Sequence, residues 1–311
     1  MPNLTRRRFI AVSAAAGLAP ASAAVGSTAV WRGIALGARA ELRISDLTPA
    51  DAAPIFASVV AEISRLEQIF SLYRPNSEIN RLNHQGFLEA PPAELLQVLS
   101  LSTALHRATD GAFDPTVQVL WRHLADIVRA GEAPIPEDFS RKKEMVDWKA
   151  VHFDSSRVFL DRRGMAITLN GVAQGFITDR IASKLRAFGV RNVLVDMGEL
   201  IGQGTGPNAI PWSVAIADPN GNPSMHRVTL RDRALATSAP LGTVLDKSGA
   251  FGHIFDPVTC LPTAGLKQVS VSAETAAIAD GLSTGLCLLN PSKIAIALQA
   301  FDGARLESRI F

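Results

Sequence analysis

The sequence predicts an α+β fold: a single two-lobed domain of mixed sheets and packed helices. Strand-like and helix-like apolar patterns are intermixed along the chain, without the strict alternation that builds a parallel α/β sheet. The 311 residues are 47% hydrophobic, ample material for a core and unlike a disordered composition. No internal repeat divides the chain. The net charge is +2, aromatic residues make up 6%, and no long basic run follows residue 10. Nucleic acid is therefore not an expected partner.

The first residues read as an address. Arg6, Arg7 and Arg8 precede Phe9, an apolar run from Ile10 to Leu18 and the small residues of "APASA". This is the order of a secretory signal: basic, apolar, cleavable. The Thr-Arg-Arg-x-Phe order resembles a twin-arginine signal, which serves proteins exported already folded. The run is too short to span a bilayer stably, and no cysteine stands near the cleavage region. Residues 1–24 are thus expected to be a twin-arginine signal peptide and the Tat translocase a partner during export. The mature protein is expected to be periplasmic, not a lipoprotein.

Residues 29–45 contain the alternating "AELRI" of a strand. Thr48 then caps a helix with Pro49 at its first position, and Ile55, Val59, Ile63, Leu66 and Phe70 recur at helical spacing. A second helix is predicted from Ala93 to Ala108. "RAGEAPIPEDFS" reads as loop, followed by β segments in "AVHFD", "RVFLD" and "MAITLN". A helix with Ile177, Ile181 and Leu185 on one face follows and stops at Gly189. "VRNVLVDMG" reads as a buried strand. Further strands are expected in "WSVAIAD", "HRVTL", "ALATS", "GHIFD" and "KQVSVSA". Two helices close the chain, one around Asp280 and one from Pro291.

Several segments carry polar groups that packing alone does not require. In "SAETAAIADGLSTGLCLLN" a core-like helix places Asp280 and Thr284 on one face, four residues apart. A buried carboxylate needs a partner. "LNGVAQGF", Leu169 to Phe176, joins a strand to a helix; it is either an ordinary tight turn or a set of amides open to an anion. "GQGTGPN" lacks the Lys-Ser/Thr of a phosphate-binding loop and reads as a hairpin loop. In "GHIFDPVTCLPTAG" His253 and Asp256 form either a base with its orienting group or a structural cap on a turn. Tyr73 is the only tyrosine. Cys260 and Cys287 are compatible with a disulfide in an oxidising compartment, while the apolar helix around Cys287 favours a buried thiol.

Taken in order, "LEQIFSLYRPNSEINRLN", "GAFDPTV", "TLNGVAQGFITDRI", "LVDMGE", "HIFDPVTCLP" and "ADGLSTGL" resemble the ApbE family, the FAD:protein FMN transferases. They span about residues 65 to 290, and the resemblance makes 29–311 an ApbE-like domain. It implies FAD as substrate and Mg²⁺ as cofactor, with FMN passing to a threonine hydroxyl of an acceptor flavoprotein and AMP released. Tat-exported, non-lipoprotein members point to a respiratory-complex subunit as the acceptor.

The resemblance also implies roles. Asp280 and Thr284 match side-chain Mg²⁺ ligands, and Gly171 matches the position whose carbonyl completes the protein's share. Oxygen donors in small number suit this cation. Ser283 stands where some members carry a further carboxylate. Leu36 matches a first-strand residue on the flavin side, and Tyr73 an aromatic at the FAD site. Ala112, Phe113 and Asp114 match a short FAD-binding run. Thr168 stands where many members have Asp, and Gln174 where Lys or Glu is frequent. Ile254 matches a backbone contact to FAD, and Cys260 replaces a usual Gly. His253 becomes the candidate base, with Asp256 orienting it or forming the turn. Two other functions use the same residues: FAD binding and delivery without transfer, and Mg²⁺-dependent FAD hydrolysis.

Overall fold

The computed structural model describes residues 10–11, 27–135, 137–218, 222–244, 246, 249, 251–263 and 265–311. The expected signal peptide lies outside these residues except for Ile10–Ala11 (β1). The following strands are Thr28–Ala35 (β2), Ala38–Ser45 (β3), Phe87–Glu89 (β4), Val151–Phe153 (β5), Arg157–Leu160 (β6), Val193–Asp196 (β7) and Leu200–Gln203 (β8). After them come Trp212–Ala217 (β9), Pro223–Leu230 (β10), Arg233–Ser238 (β11), Gln268–Ala273 (β12) and Arg305–Ile310 (β13). The helices are Pro49–Phe70 (α1), Glu78–Gln85 (α2), Ala93–Ala108 (α3), Gln118–Ala130 (α4), Glu137–Ser140 (α5), Ala173–Ala187 (α6), Ala276–Leu286 (α7) and Pro291–Gln299 (α8).

A seven-stranded sheet in the order β13-β12-β11-β8-β7-β3-β2 forms the centre, and all of its pairings are antiparallel. Side chains alternate between its faces. Val193, Val195, Ala234, Ala236, Val269 and Val271 join the main core with residues of α1, α3, α6 and α7. Leu194, Leu200 and Leu235 point the other way and pack with Trp212, Val214, Ile216, Val228 and Leu230 of β9 and β10. With both faces covered, β7 and β12 are buried at every position; β12 still alternates, with Gln268, Ser270 and Ser272 buried on the face opposite Val269 and Val271. β4, β5 and β6 make a small separate sheet. The backbone of Ile10–Ala11 pairs antiparallel with Ile216 and Ala215 of β9. This mixed, non-alternating architecture is the predicted α+β class.

The helix signals act as the sequence indicates. The Thr48 hydroxyl accepts the Asp51 amide at 3.2 Å, and Val59, Ile63, Leu66 and Phe70 form the buried face of α1. Ile177, Ile181 and Leu185 of α6 are fully buried, and Gly189 takes the left-handed conformation after it at φ 80°, which favours glycine.

Four local expectations are corrected. "RAGEAPIPEDFS" is not all loop, since its last residues form α5, Glu137–Ser140. "MAITLN" is not a strand. Asn83 brackets Ile167 instead, its Oδ1 accepting the Ile167 amide at 2.7 Å and its Nδ2 donating to the Ile167 carbonyl at 2.8 Å. Those bonds do the work of a sheet ladder. "GQGTGPN" is no hairpin loop: it carries the chain from β8 in the central sheet to β9 in the flanking one. "GHIFD" forms no strand: it takes part in the isolated bridges Val244–Gly252 and Phe255–Pro262, and the His253 amide donates to the Pro240 carbonyl at 3.2 Å.

Candidate active site

The two helices that carry the singled-out polar residues meet at their N-terminal ends. A Cβ on Gly175 would lie 2.3 Å from the Ala276 carbonyl oxygen, so only glycine lets α6 and α7 approach this closely. The Gly175 amide, at the third position of α6, donates to Asp280 Oδ2 at 3.1 Å. In return Asp179, one turn further along α6, accepts the amides of Ala276 and Ala277 at 2.7 and 2.9 Å. Each helix thus offers a carboxylate, Asp280 buried and Asp179 half-buried, to the other's N-terminal amides, where the helix dipole favours negative charge. Burial still pushes the Asp179 carboxyl up to about 6, against the pull of its two amide bonds.

These contacts gather the expected ligand residues. Asp280 is buried at 4% exposure. A Cβ on Gly171 would lie 3.0 Å from Thr284 Oγ1, so Gly171 and Thr284 face each other closely. The amide that a continuing helix would direct to the Gly171 carbonyl is that of Gly175, and it is engaged by Asp280. No described amide donates to the Gly171 carbonyl. Carboxylate, hydroxyl and carbonyl are hard oxygen donors, too few to encircle a cation, and they fit Mg²⁺, which retains water and substrate oxygens. Among the described residues no three His, Cys, Asp or Glu side chains cluster as a metal group; this set contains a single carboxylate and does not require one.

Ser238, at the end of β11, lies 2.7 Å from Ser283 Oγ and 3.2 Å from Thr284 Oγ1. Ser283 also donates to the Asp280 carbonyl at 3.0 Å, so its hydroxyl is tied to the helix backbone. Cys287 donates to the Ser283 carbonyl at 3.2 Å, and burial pushes its thiol up to about 12. Cys260 is buried as well, and both cysteines are free.

Phe113 walls the same region, its ring 3.4 Å from a Cβ placed on Gly171. The Ala112 amide donates to the Thr109 carbonyl at 3.1 Å, and the Phe113 amide to Thr109 Oγ1 at 2.9 Å. Asp114 holds the wall in place. Its carboxylate accepts the Thr116 amide at 2.8 Å, the Thr116 hydroxyl at 2.5 Å and the Trp148 amide at 3.3 Å. Desolvation raises its pKa in spite of these bonds. The Thr168 hydroxyl accepts the Asn170 amide at 3.2 Å, shaping the turn before Gly171. Gln174 is buried and donates to the Met197 carbonyl at 3.3 Å. That binds the first turn of α6 to the "VDMG" segment, where Gly198 at φ 105° leaves room for the amide.

Leu36 and Tyr73 belong to a second grouping. The two-residue turn between β2 and β3 places Leu36 and Gly37 at positive φ, 47° and 78°, as a tight hairpin requires. Glu67 accepts the Leu36 amide at 2.9 Å and pairs with Arg74. The Tyr73 ring lies 3.4 Å from a Cβ placed on Gly37 and is 56% exposed, an apolar face open to a ligand. In the third grouping His253 is half-buried. Its Nδ1 lies 3.3 Å from the Thr243 carbonyl, which can only accept. The Ile254 carbonyl accepts the Thr263 amide at 3.0 Å. The Asp256 carboxylate accepts the amides of Val258 and Thr259 at 2.8 and 3.4 Å, so it forms the turn around Pro257.

Sequence reasoning missed Asp179 and Ser238. Asp179 lies within a quoted stretch, four residues after Gly175, but its partners are about a hundred residues away. No local pattern marks Ser238, which reads as one more strand residue.

The sequence matches the ApbE family over residues 36–305. It is 29% identical over 239 residues to the FAD:protein FMN transferase of Haemophilus influenzae, covering 72% of this chain and 69% of that one. It is 27% identical over 246 residues to the FAD:protein FMN transferase of Vibrio cholerae, covering 75% and 73%. The fold is similar to that of the Flavin Transferase ApbE from Vibrio cholerae, with a TM-score of 0.77 at 23% identity over 90% of this chain and 93% of that one. The ApbE protein of Thermotoga maritima gives a TM-score of 0.77 at 26% identity, with the same coverage. The family match begins at Leu36 and continues past α8 on a shared architecture, so the chain belongs to the ApbE family.

Proposed function

We propose that this protein is a Mg²⁺-dependent FAD:protein FMN transferase acting on a threonine side chain of a periplasmic or membrane acceptor flavoprotein. The observation that carries the reading is the meeting of Asp280, Thr284 and Gly171 at the α6–α7 contact. The threonine Oγ forms a bond to the phosphorus attached to riboflavin, the anhydride bond to the other phosphate breaks, and AMP leaves. Asp280, Thr284 and Gly171 would hold a Mg²⁺ ion, which would supply charge neutralisation at the pyrophosphate.

The chain's own groups do the rest. Tyr73 and Leu36 offer an apolar face for the flavin, and Phe113 closes the wall beside Gly171. His253 takes the proton of the attacking hydroxyl. Its Nδ1 carries hydrogen toward the Thr243 carbonyl, so in the neutral ring Nε2 holds the lone pair. Asp256 shapes the turn that presents this ring. The signal-like N-terminus supports a periplasmic reaction, with a respiratory-complex subunit as the proposed acceptor.

Incubation with FAD, Mg²⁺ and a candidate acceptor, read by intact mass and AMP release, tests the reading. An FMN adduct on a threonine together with AMP is the expected result. AMP without an adduct would make the protein an FAD pyrophosphatase, and neither product would make it a flavin-binding protein.

A further inference from the structure

Asp179 has no part in the reading above, yet it is the other half of the clasp that carries Asp280. It is half-buried and comes from α6, while its partners are the first two amides of α7. The third amide of α7, that of Ile278, goes to the Thr275 hydroxyl at 3.3 Å. The start of α7 is thereby fixed in two different ways: Thr275 closes it from within its own segment, and Asp179 ties it to the neighbouring helix. A carboxylate that accepts two successive amides fixes both the height of a helix and its rotation about its axis. Asp280 lies four residues, one turn, beyond Ala276, and Thr284 one turn further. Gly171 and Gly175 stand at the start of the helix that provides Asp179. A shift of α7 along or about its axis would therefore move the Asp280 carboxylate and the Thr284 hydroxyl away from the Gly171 carbonyl.

We propose that Asp179 is a positioning residue for the transfer reaction, holding α7 in the register at which Asp280 and Thr284 face Gly171. The inference rests on the assignment of those three residues to the cation. Asparagine at this position keeps the volume but presents one oxygen to two amides, so one of them loses its acceptor. Groups that orient metal ligands without touching the metal typically affect affinity by about 10- to 100-fold. The Asp179 clasp is predicted to fall at the lower end, because Gly175 continues to hold Asp280 directly.

Mn²⁺ serves as the probe, its binding to the full chain followed by the electron paramagnetic resonance of the free ion. This needs neither FAD nor turnover. Wild type, Asp179→Asn, Thr275→Ala and Asp280→Ala are compared, each with its thermal melt. Thr275→Ala is the control: it removes a bond from the same helix start and leaves the clasp between helices intact. The expected result is about a tenfold loss of Mn²⁺ affinity in Asp179→Asn, with Thr275→Ala within about twofold of wild type. The Mg²⁺ concentration for half-maximal transfer should rise by the same factor in Asp179→Asn, with the rate at saturating Mg²⁺ changed less. Affinity retained in Asp179→Asn, or lost equally in Thr275→Ala, would overturn the positioning role while leaving the cation assignment standing. Wild-type binding that survives in Asp280→Ala would overturn both.

Discussion

The amide of Gly175 donates to Asp280 Oδ2 and not to the carbonyl of Gly171. The Gly175 amide is one of the first of α6, which have no partner within the helix, and its use by Asp280 has two effects. It compensates a buried carboxylate, and it keeps a carbonyl oxygen from being used by the helix. Both need Gly175, because a side chain there would hold the helices apart.

Gly175→Ala is predicted to be strongly harmful. The added Cβ would meet backbone, with the Ala276 oxygen at 2.3 Å and the Ala277 Cα at 2.6 Å, and backbone cannot rotate away as a side chain can. Overpacking of this kind costs about 1–3 kcal/mol. Urea unfolding should show that loss, and transfer should fall with it. A variant with wild-type stability and activity would show that the helices have slack.

Asp179 predicts a pH dependence of stability. Its carboxyl is raised from 3.8 to about 6 in the folded protein by burial. The folded state therefore holds this proton more tightly than the unfolded chain. The corresponding stabilisation is full below the unfolded value and is lost as pH rises through about 6. The size is on the order of 1–3 kcal/mol. Between about pH 4 and 7 wild type should lose stability relative to Asp179→Asn by that amount, read from paired urea melts. A difference independent of pH would contradict the desolvated, destabilised charge.

His253→Ala is predicted to lower single-turnover transfer by about 10²- to 10⁴-fold, the usual cost of losing a general base. FAD affinity, measured separately by flavin fluorescence, should stay near wild type. If affinity falls and the rate at saturating FAD does not, His253 shapes the turn before Pro257 and the hydroxyl is activated by other means.

Export is predicted to depend on Arg6 and Arg7. The Arg6→Lys, Arg7→Lys double variant should leave the protein in the cytoplasm, while wild type should appear in the periplasm with a new N-terminus near Ala24. Cell fractionation and N-terminal sequencing give the answer. Equal periplasmic yield for the two would count against a twin-arginine signal.

The parts of this molecule legible in the sequence are those set by local chemistry. Thr48–Pro49 marks a helix start because capping is local, and Gly189 marks a stop because left-handed φ selects glycine. Asp280 stood out because a carboxylate in an apolar helix needs a partner. What remained hidden depends on distant contacts. Residues 165–170 look like a strand, yet Asn83, some eighty positions earlier, takes the bonds a neighbouring strand would have taken. β13 is not legible in the sequence, because its exposed and half-buried residues carry little alternation. Asp179 reads locally as an ordinary polar helix residue, because its partners are the distant first amides of α7.

The central claim is that Asp280 belongs to the transfer site and not merely to the packing of two helices. The most direct measurement is Mg²⁺-dependent FMN transfer by Asp280→Ala, followed by intact mass of the acceptor, with circular dichroism to check the fold. The predicted result is a folded protein whose transfer rate is lower by at least about 10²-fold, since a lost cation site removes several kcal/mol of charge stabilisation. A folded Asp280→Ala protein that flavinylates the acceptor at the wild-type rate and with the same Mg²⁺ dependence would contradict the claim.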